Sequence, residues 1–342
     1  MVMHNQKQRQ KKGTKMTKRS LLCECVLITF LLTVFLLSPV HAAERTTNQI
    51  AVTYVGFSGS NAGLWASKEQ GLFTKNGLDV SVQYLNPTVG IQALIAGNVD
   101  LYAGGTVALE AAINGADIVY VGSILDKLLI SLFSLPEIKD VSELKGKVIG
   151  VSQPGAPTYV GALLVLRRAG LVPDKDVKIS YLKGVPETLA ALQQKALQAG
   201  MINSPLTILA RKAGLKELVD LGTLPDRFPL NAFIANKPYV GSHKDPLVRF
   251  FKGYVEGVRY ARANPKQTIE IMTKYTKMTD PEVSAEDYGV YSPHWEVPPF
   301  VNEAGIQTAL SMSANPKAGQ FKPKDFIDNQ IIQQLSDMGF FK

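Results

Sequence analysis

The chain has 342 residues, with 37 Lys and Arg against 29 Asp and Glu, a net charge of +8, and two cysteines. Seven of the basic residues and one acid lie in residues 1–42, which leaves about +2 on the rest, and Cys23 and Cys25 lie there too. Residues 43–342 therefore lack the basic excess of a nucleic-acid binder and can form no disulfide, thiol nucleophile or thiolate metal site.

The first stretch has the three parts of a secretory signal. Lys7, Arg9, Lys11, Lys12, Lys15, Lys18 and Arg19 precede an apolar run over residues 25–37, and Val40-His41-Ala42 fits a small-x-Ala cleavage site. The run is shorter than the roughly 20 residues of a membrane span. We expect a signal peptide over residues 1–42, cleaved near Ala42 or Ala43, with Met16 as an alternative start. Export would place the mature chain in the periplasm. Roughly 300 remaining residues exceed one typical core and predict two lobes.

Switches between a period of 2 and a period of 3.6 mark the elements in order. Residues 50–55 predict a strand, 62–70 a helix, 79–85 a strand, 89–97 a helix and 99–103 a strand. A helix over 106–114 and a strand over 118–121 follow, and an apolar run spans 128–133. The pattern then restarts: strand 148–151, helix 157–169, strand 177–182, helix 186–199, strand 201–203 and strand 216–221. Residues 230–235 predict a long-range crossing back to the first lobe. The rest is helical, over 247–263, 266–276, 281–289, 301–313 and 326–338.

The restart contains a partial duplication. Val80-Ser81-Val82-Gln83-Tyr84-Leu85 echoes Val177-Lys178-Ile179-Ser180-Tyr181-Leu182. Ala93-Leu94-Ile95-Ala96-Gly97-Asn98-Val99-Asp100 echoes Ala196-Leu197-Gln198-Ala199-Gly200-Met201-Ile202-Asn203. Two such pieces in one order predict two similar α/β lobes.

Several blocks resemble one family. They are Gly71-Leu72-Phe73 with Gly77-Leu78-Asp79-Val80, the Ala93–Asp100 block, Leu144-Lys145-Gly146-Lys147-Val148-Ile149-Gly150-Val151, and Pro246-Leu247-Val248-Arg249-Phe250. Over residues 48–342 the chain resembles substrate-binding proteins of nitrate/sulfonate/taurine-type ABC transporters, with thiamine-pyrimidine synthesis proteins as relatives on the same fold. The resemblance implies a type II periplasmic binding fold: two α/β lobes with mainly parallel sheets, joined by two crossing strands, with the C-terminal helices on the first lobe. It places lobe 1 at 48–127 plus 233–342 and lobe 2 at 128–232. It further implies cleft closure on a small anionic ligand of the sulfonate, nitrate or carboxylate class, delivery to an ABC permease in the inner membrane, and a monomer without cofactor. A ligand-binding sensor or scavenger, or an enzyme of the pyrimidine-synthesis type, are the alternatives. The family often has an acid where the second lobe here has Asn203, against Asp100 in the first, and that exchange would ease anion binding if the position faces the cleft.

Ligands of parallel α/β sheets sit beyond the carboxyl ends of the strands. Those ends nominate Ser58, Ser60, Asn61, Thr88, Gly105, Thr106 and Ser123 in the first lobe, and Gln153, Gly155, Ala156, Thr158 and Asn203 in the second. All are small or hydrogen-bonding and none is charged. Capping of the following helix is the competing role for Ser60 and Asn61. Phe57 and Tyr159 are candidates to stack on a planar ligand, against the default of wall packing. Arg227 and His294 are candidates to border the cleft, against the default of solvated loop residues. The mature chain has two histidines, His243 and His294, about 50 residues apart and outside any catalytic motif. No catalytic or metal-ligating residue is expected.

Overall fold

A computed structural model describes residues 48–342. The expected signal peptide lies outside the described residues. Ten strands run in chain order: β1 Gln49–Tyr54, β2 Asp79–Tyr84, β3 Leu101–Gly104, β4 Ile118–Leu125, β5 Ile130–Ser134, β6 Val148–Val151, β7 Lys178–Tyr181, β8 Ala199–Asn203, β9 Lys216–Asp220 and β10 Asn231–Asn236. They form two five-stranded sheets, β2-β1-β3-β10-β4 and β7-β6-β8-β5-β9. Central strands covered on both faces read as apolar runs, and β1 is buried from Ile50 to Tyr54 for that reason.

The sheets are the same object built twice. In each, the first strand lies parallel between the two that follow it by helical crossovers. One strand then enters antiparallel from the other half of the chain, β10 in the first sheet and β5 in the second. Each sheet is therefore mixed, with two parallel and two antiparallel pairings, rather than mainly parallel, because the strand arriving after the crossing runs against its neighbours. The chain crosses at residues 126–129 and returns at 221–230. The two passages are tied together: Phe228 N–H donates to the Asp126 carbonyl (3.3 Å), and Lys127 Nζ to the carbonyls of Gly222 (3.2 Å) and Leu224 (3.3 Å).

Hydrogen bonds fix how the halves correspond. Leu85 N–H donates to the Tyr54 carbonyl (3.2 Å), and Leu182 N–H to the Val151 carbonyl (2.8 Å). The echo of residues 80–85 in 177–182 therefore stands in register. The second echo is five residues out. Ala51 N–H donates to Asp100 Oδ2 (2.7 Å), and the matching Val148 N–H donates to Gln198 Oε1 (3.1 Å). The counterpart of Asp100 is Gln198, not Asn203. Both lie before the strand, at the end away from its carboxyl terminus, so the exchange of acid for amide has no bearing on a ligand. The slip arises because the helix expected over 186–199 stops early, as Val185–Gln193. Lys195 takes the left-handed conformation (φ 57°) that Gly97 takes in the first half (φ 74°). Gly200, read as the helix stop, lies inside β8, where a Cβ would come within 2.5 Å of Thr188 Cγ2.

The C-terminal helices cover the outer face of the first sheet. Lys244–Ala263 packs on Ala62–Glu69 so closely that a Cβ on Gly257 would meet Ser67 Oγ at 1.9 Å and the Gly63 carbonyl at 2.7 Å. Trp65, Phe73, Phe233, Phe250, Phe251 and Tyr254 fill that layer. Burial of this aromatic surface anchors the helices to the first lobe.

Candidate functional site

A cavity of about 440 Å³ lies where the carboxyl ends of the two sheets meet. The first sheet contributes Ser58 and Ser60 after β1, Tyr84, Asn86 and Pro87 around the end of β2, and Tyr102 on β3. The second contributes Ser152, Gln153, Ala156 and Thr158 after β6, Lys183 to Pro186 after β7, and Asn203 closing β8. The crossing passages supply Leu129 and Leu230, the strands they lead into supply Ile130 of β5 and Asn231 of β10, and Tyr291 arrives from the helix Pro281–Tyr291. The volume and the mix of apolar wall with a few polar groups are those of a small-molecule site.

Of the residues nominated by strand topology, Ser58, Ser60, Gln153, Ala156, Thr158 and Asn203 line this cavity. The others do not. Asn61 is fully buried, and its Nδ2 donates to the carbonyls of Val55 (3.0 Å) and Gly56 (3.3 Å). Thr88 is exposed in the first turn of Pro87–Ile95, whose cap is the Asn86 side chain accepting from Thr88 N–H (3.1 Å). Gly105 packs under the Leu230 carbonyl, and its own carbonyl accepts from Tyr120 Oη (3.1 Å). Thr106 Oγ1 donates to the Gly155 carbonyl (2.7 Å), so these two join the halves beside the cavity. Ser123 is buried in β4, its N–H donating to the Pro299 carbonyl (2.8 Å).

The polar wall is largely bonded to itself. Ser58 Oγ and Ser60 Oγ are 2.9 Å apart, and Thr158 Oγ1 lies 2.6 Å from Ser152 Oγ while accepting from Ser152 N–H (3.0 Å). Gly59 N–H, the donor that a helix-terminus anion site would use, is taken by Asp287 Oδ2 (2.6 Å). Asp287 Oδ1 accepts from Ser204 Oγ (2.8 Å), so one carboxylate ties the loop after β1 to the loop after β8. Tyr291 Oη reinforces this side by donating to the Ser204 carbonyl (3.3 Å). Burial pushes the Asp287 carboxyl up to about 7, against the two hydrogen bonds and with a smaller push from Glu286.

Lys183 is the one charged residue on the cavity wall among the described residues. Sequence reasoning missed it, although Lys183 directly follows Leu182, the end of the registered echo, as Asn86 follows Leu85. Arg227 lies elsewhere, 3.5 Å from Asp126 and 3.7 Å from Glu296 at the crossing passages. His294 borders a different cavity, of about 530 Å³, with Arg211, Glu217 and Asp220. Phe57 is not on the wall; its half-exposed ring lies on that of Tyr84, with centroids 4.1 Å apart, so Tyr84 rather than Phe57 meets the cavity there. Tyr159 faces Tyr181 instead (6.1 Å). Asp287, Tyr291 and Asn231 reach the site from distant chain positions and carry no local signal. No group of His, Cys, Asp and Glu that could hold a metal occurs among the described residues.

Comparison with known proteins agrees with this architecture. A Brucella abortus protein named as a binding protein is 29% identical over 279 residues, covering 79% of this chain and 82% of its own. The periplasmic aliphatic sulphonate binding protein SsuA of Escherichia coli superposes with a TM-score of 0.65 at 22% identity, over 84% of this chain and 91% of that one. The periplasmic nitrate-binding protein NrtA of Synechocystis PCC 6803 superposes with a TM-score of 0.65 at 12% identity, over 85% and 89%. The family model described as NMT1/THI5 like matches residues 59–268, and the chain belongs to that family.

Proposed function

We propose that this protein is a periplasmic solute-binding protein that captures a small organic ligand with an anionic group and delivers it to an ABC permease in the inner membrane. One observation carries the reading: the cavity is walled by the carboxyl ends of both sheets, and its one charge is the cation of Lys183. The sulfonate- and nitrate-binding proteins that share the fold support the ligand class. The lobes would be residues 48–127 plus 233–342 and residues 128–232, hinged at the tied passages 126–129 and 221–230. The Thr106 to Gly155 bond would form on closure and part on opening. The serine and threonine hydroxyls of the wall bond to one another rather than to a base, which favours binding over turnover. The protein would act as a monomer.

A thermal-shift screen over alkanesulfonates, nitrate, aromatic acids and pyrimidines, followed by X-ray scattering with the strongest stabiliser, tests this. The expected result is stabilisation by an anion and a smaller radius of gyration on binding. A screen in which cations alone stabilise, or a stabiliser that leaves the radius unchanged, overturns it.

A further inference from the structure

The orientation of Asn231 is forced by its neighbours. Asn61 donates from Nδ2 to two backbone carbonyls, which only the NH2 end of an amide can do. Its Oδ1 is thereby left as a pure acceptor, and it accepts from Asn231 Nδ2 at 3.0 Å. Asn231 must then present Oδ1 on its other side. That oxygen is buried and has no partner within the protein, although Asn231, 4% exposed, lines the cavity. Tyr102 repeats the situation from β3: it lines the same cavity, is fully buried, and its hydroxyl has no partner. Burial holds that phenol well above its usual range, so it stays protonated. Both residues line the cavity, and each holds one buried polar atom that the protein leaves without a partner, which is costly unless something bonds to it, at about 1–3 kcal/mol each.

We propose that Asn231 and Tyr102 form a donor-reading subsite at the buried end of the cleft, so that the ligand carries an N–H or O–H group and not an anionic group alone. An amide oxygen can only accept, and it repels a bare anion. The Tyr102 hydroxyl can donate to or accept from the same group. Lys183 is exposed, so the site is polarised, with a cation near the mouth and acceptors at depth. The apolar side chains Val55, Val107, Leu129, Ile130 and Leu230 suit a flat apolar body between the two. The ligand class that fits is an aromatic or heteroaromatic acid bearing an amino, hydroxyl or ring N–H donor. Nitrate and simple alkanesulfonates offer no such donor. The proposal rests on the cavity being the ligand cleft.

The test uses matched probes in calorimetry: 4-hydroxybenzoate and 4-aminobenzoate against 4-methoxybenzoate and benzoate, sulfanilate against benzenesulfonate, uracil against 1,3-dimethyluracil, and nitrate. The donor-bearing member of at least one pair is expected to bind about tenfold tighter or more, the effect of one buried group left unpaired. Tyr102→Phe, which removes only an unpartnered hydroxyl, should keep the unliganded melting temperature and shrink the ratio. Asn231→Leu should bring the ratio to about one, read as a ratio because the change also removes the donor to Asn61 Oδ1 and lowers affinity for both members of each pair. A ratio near one in the unaltered protein, nitrate binding as tightly as the aromatic acids, or a ratio that survives Asn231→Leu overturns the subsite while the cleft reading stands. If no probe binds, the cleft reading falls and the subsite with it.

Discussion

Asp287 offers a direct measure of how the halves are held together. Its carboxyl is fully buried, accepts from Gly59 N–H and Ser204 Oγ, and has no cation beside it. Burial raises its pKa from 3.8 to about 7. The folded protein thus holds a proton that the unfolded chain has lost between pH 4 and 7. Stability must fall as pH rises through that window and level off above it. At about 1.4 kcal/mol per pH unit, the whole interval is worth roughly 4 kcal/mol. Asp287→Asn preserves the shape and removes the charge. The amide oxygen can still accept from Gly59 N–H, and the amide NH2 can donate to Ser204 Oγ. The variant should lie within about 1 kcal/mol of the parent at pH 4.5 and exceed it by about 2–4 kcal/mol at pH 8, the upper figure being the full linkage. Urea unfolding at pH 4.5, 6, 7 and 8 reads the difference. Asp126, also raised to about 7 by burial and by Glu296 against Arg227, leaves both proteins a shared decline that cancels in the subtraction. A difference that stays constant with pH, or a variant weaker than the parent at pH 8, refutes the argument.

Three further outcomes are expected. Lys183→Gln should weaken benzoate binding by about threefold to tenfold at low salt, less at high salt, and leave uracil untouched, because an exposed cation contributes about 1 kcal/mol and is screened; equal losses for both probes would assign Lys183 to packing. Gly105→Ala places a Cβ 2.6 Å from the Leu230 carbonyl oxygen, and because the obstacle is backbone rather than the end of a flexible side chain it should cost about 1–3 kcal/mol in urea unfolding. Thr106→Val removes the bond to the Gly155 carbonyl and should weaken binding of the best probe by about fivefold, the value of one hydrogen bond, with little change in the unliganded melting temperature; unchanged affinity would mean that this contact does not favour the bound form.

The halves were legible because the strand pattern is local. Residues 79–85 and 177–182 declare period-2 strands, and the glycine turns before them repeat. The failure at residues 194–200 is equally physical. Every residue of Gln193-Gln194-Lys195-Ala196-Leu197-Gln198-Ala199 suits a helix, and Lys195 carries none of the glycine signature that Gly97 shows. What ends the helix is tertiary: β8 must reach β6 and β5, and Gly200 must admit the Thr188 methyl. Propensity yields to sheet pairing there, and the alignment of Asp100 with Asn203 fails with it.

The site was legible in position and illegible in which atoms remain available. Strand topology points to the right loops, yet it cannot count hydrogen-bonding capacity already spent. Ser58 and Ser60 bond to each other, Thr158 to Ser152, Thr106 to Gly155, and Asn203 Nδ2 to the Ser204 carbonyl at 2.8 Å, so part of each group's capacity is committed within the protein. Asn61, nominated with Ser58 and Ser60 by its place after β1, spends its whole amide inside the fold. Its effect is transmitted: by consuming the Asn231 NH2 it turns the Asn231 oxygen outward. A residue that never touches the cavity thus decides whether the cavity asks for a donor or an acceptor. That dependence links positions 170 residues apart, on β10 and in the loop after β1, and appears only when the crossing strand is in place.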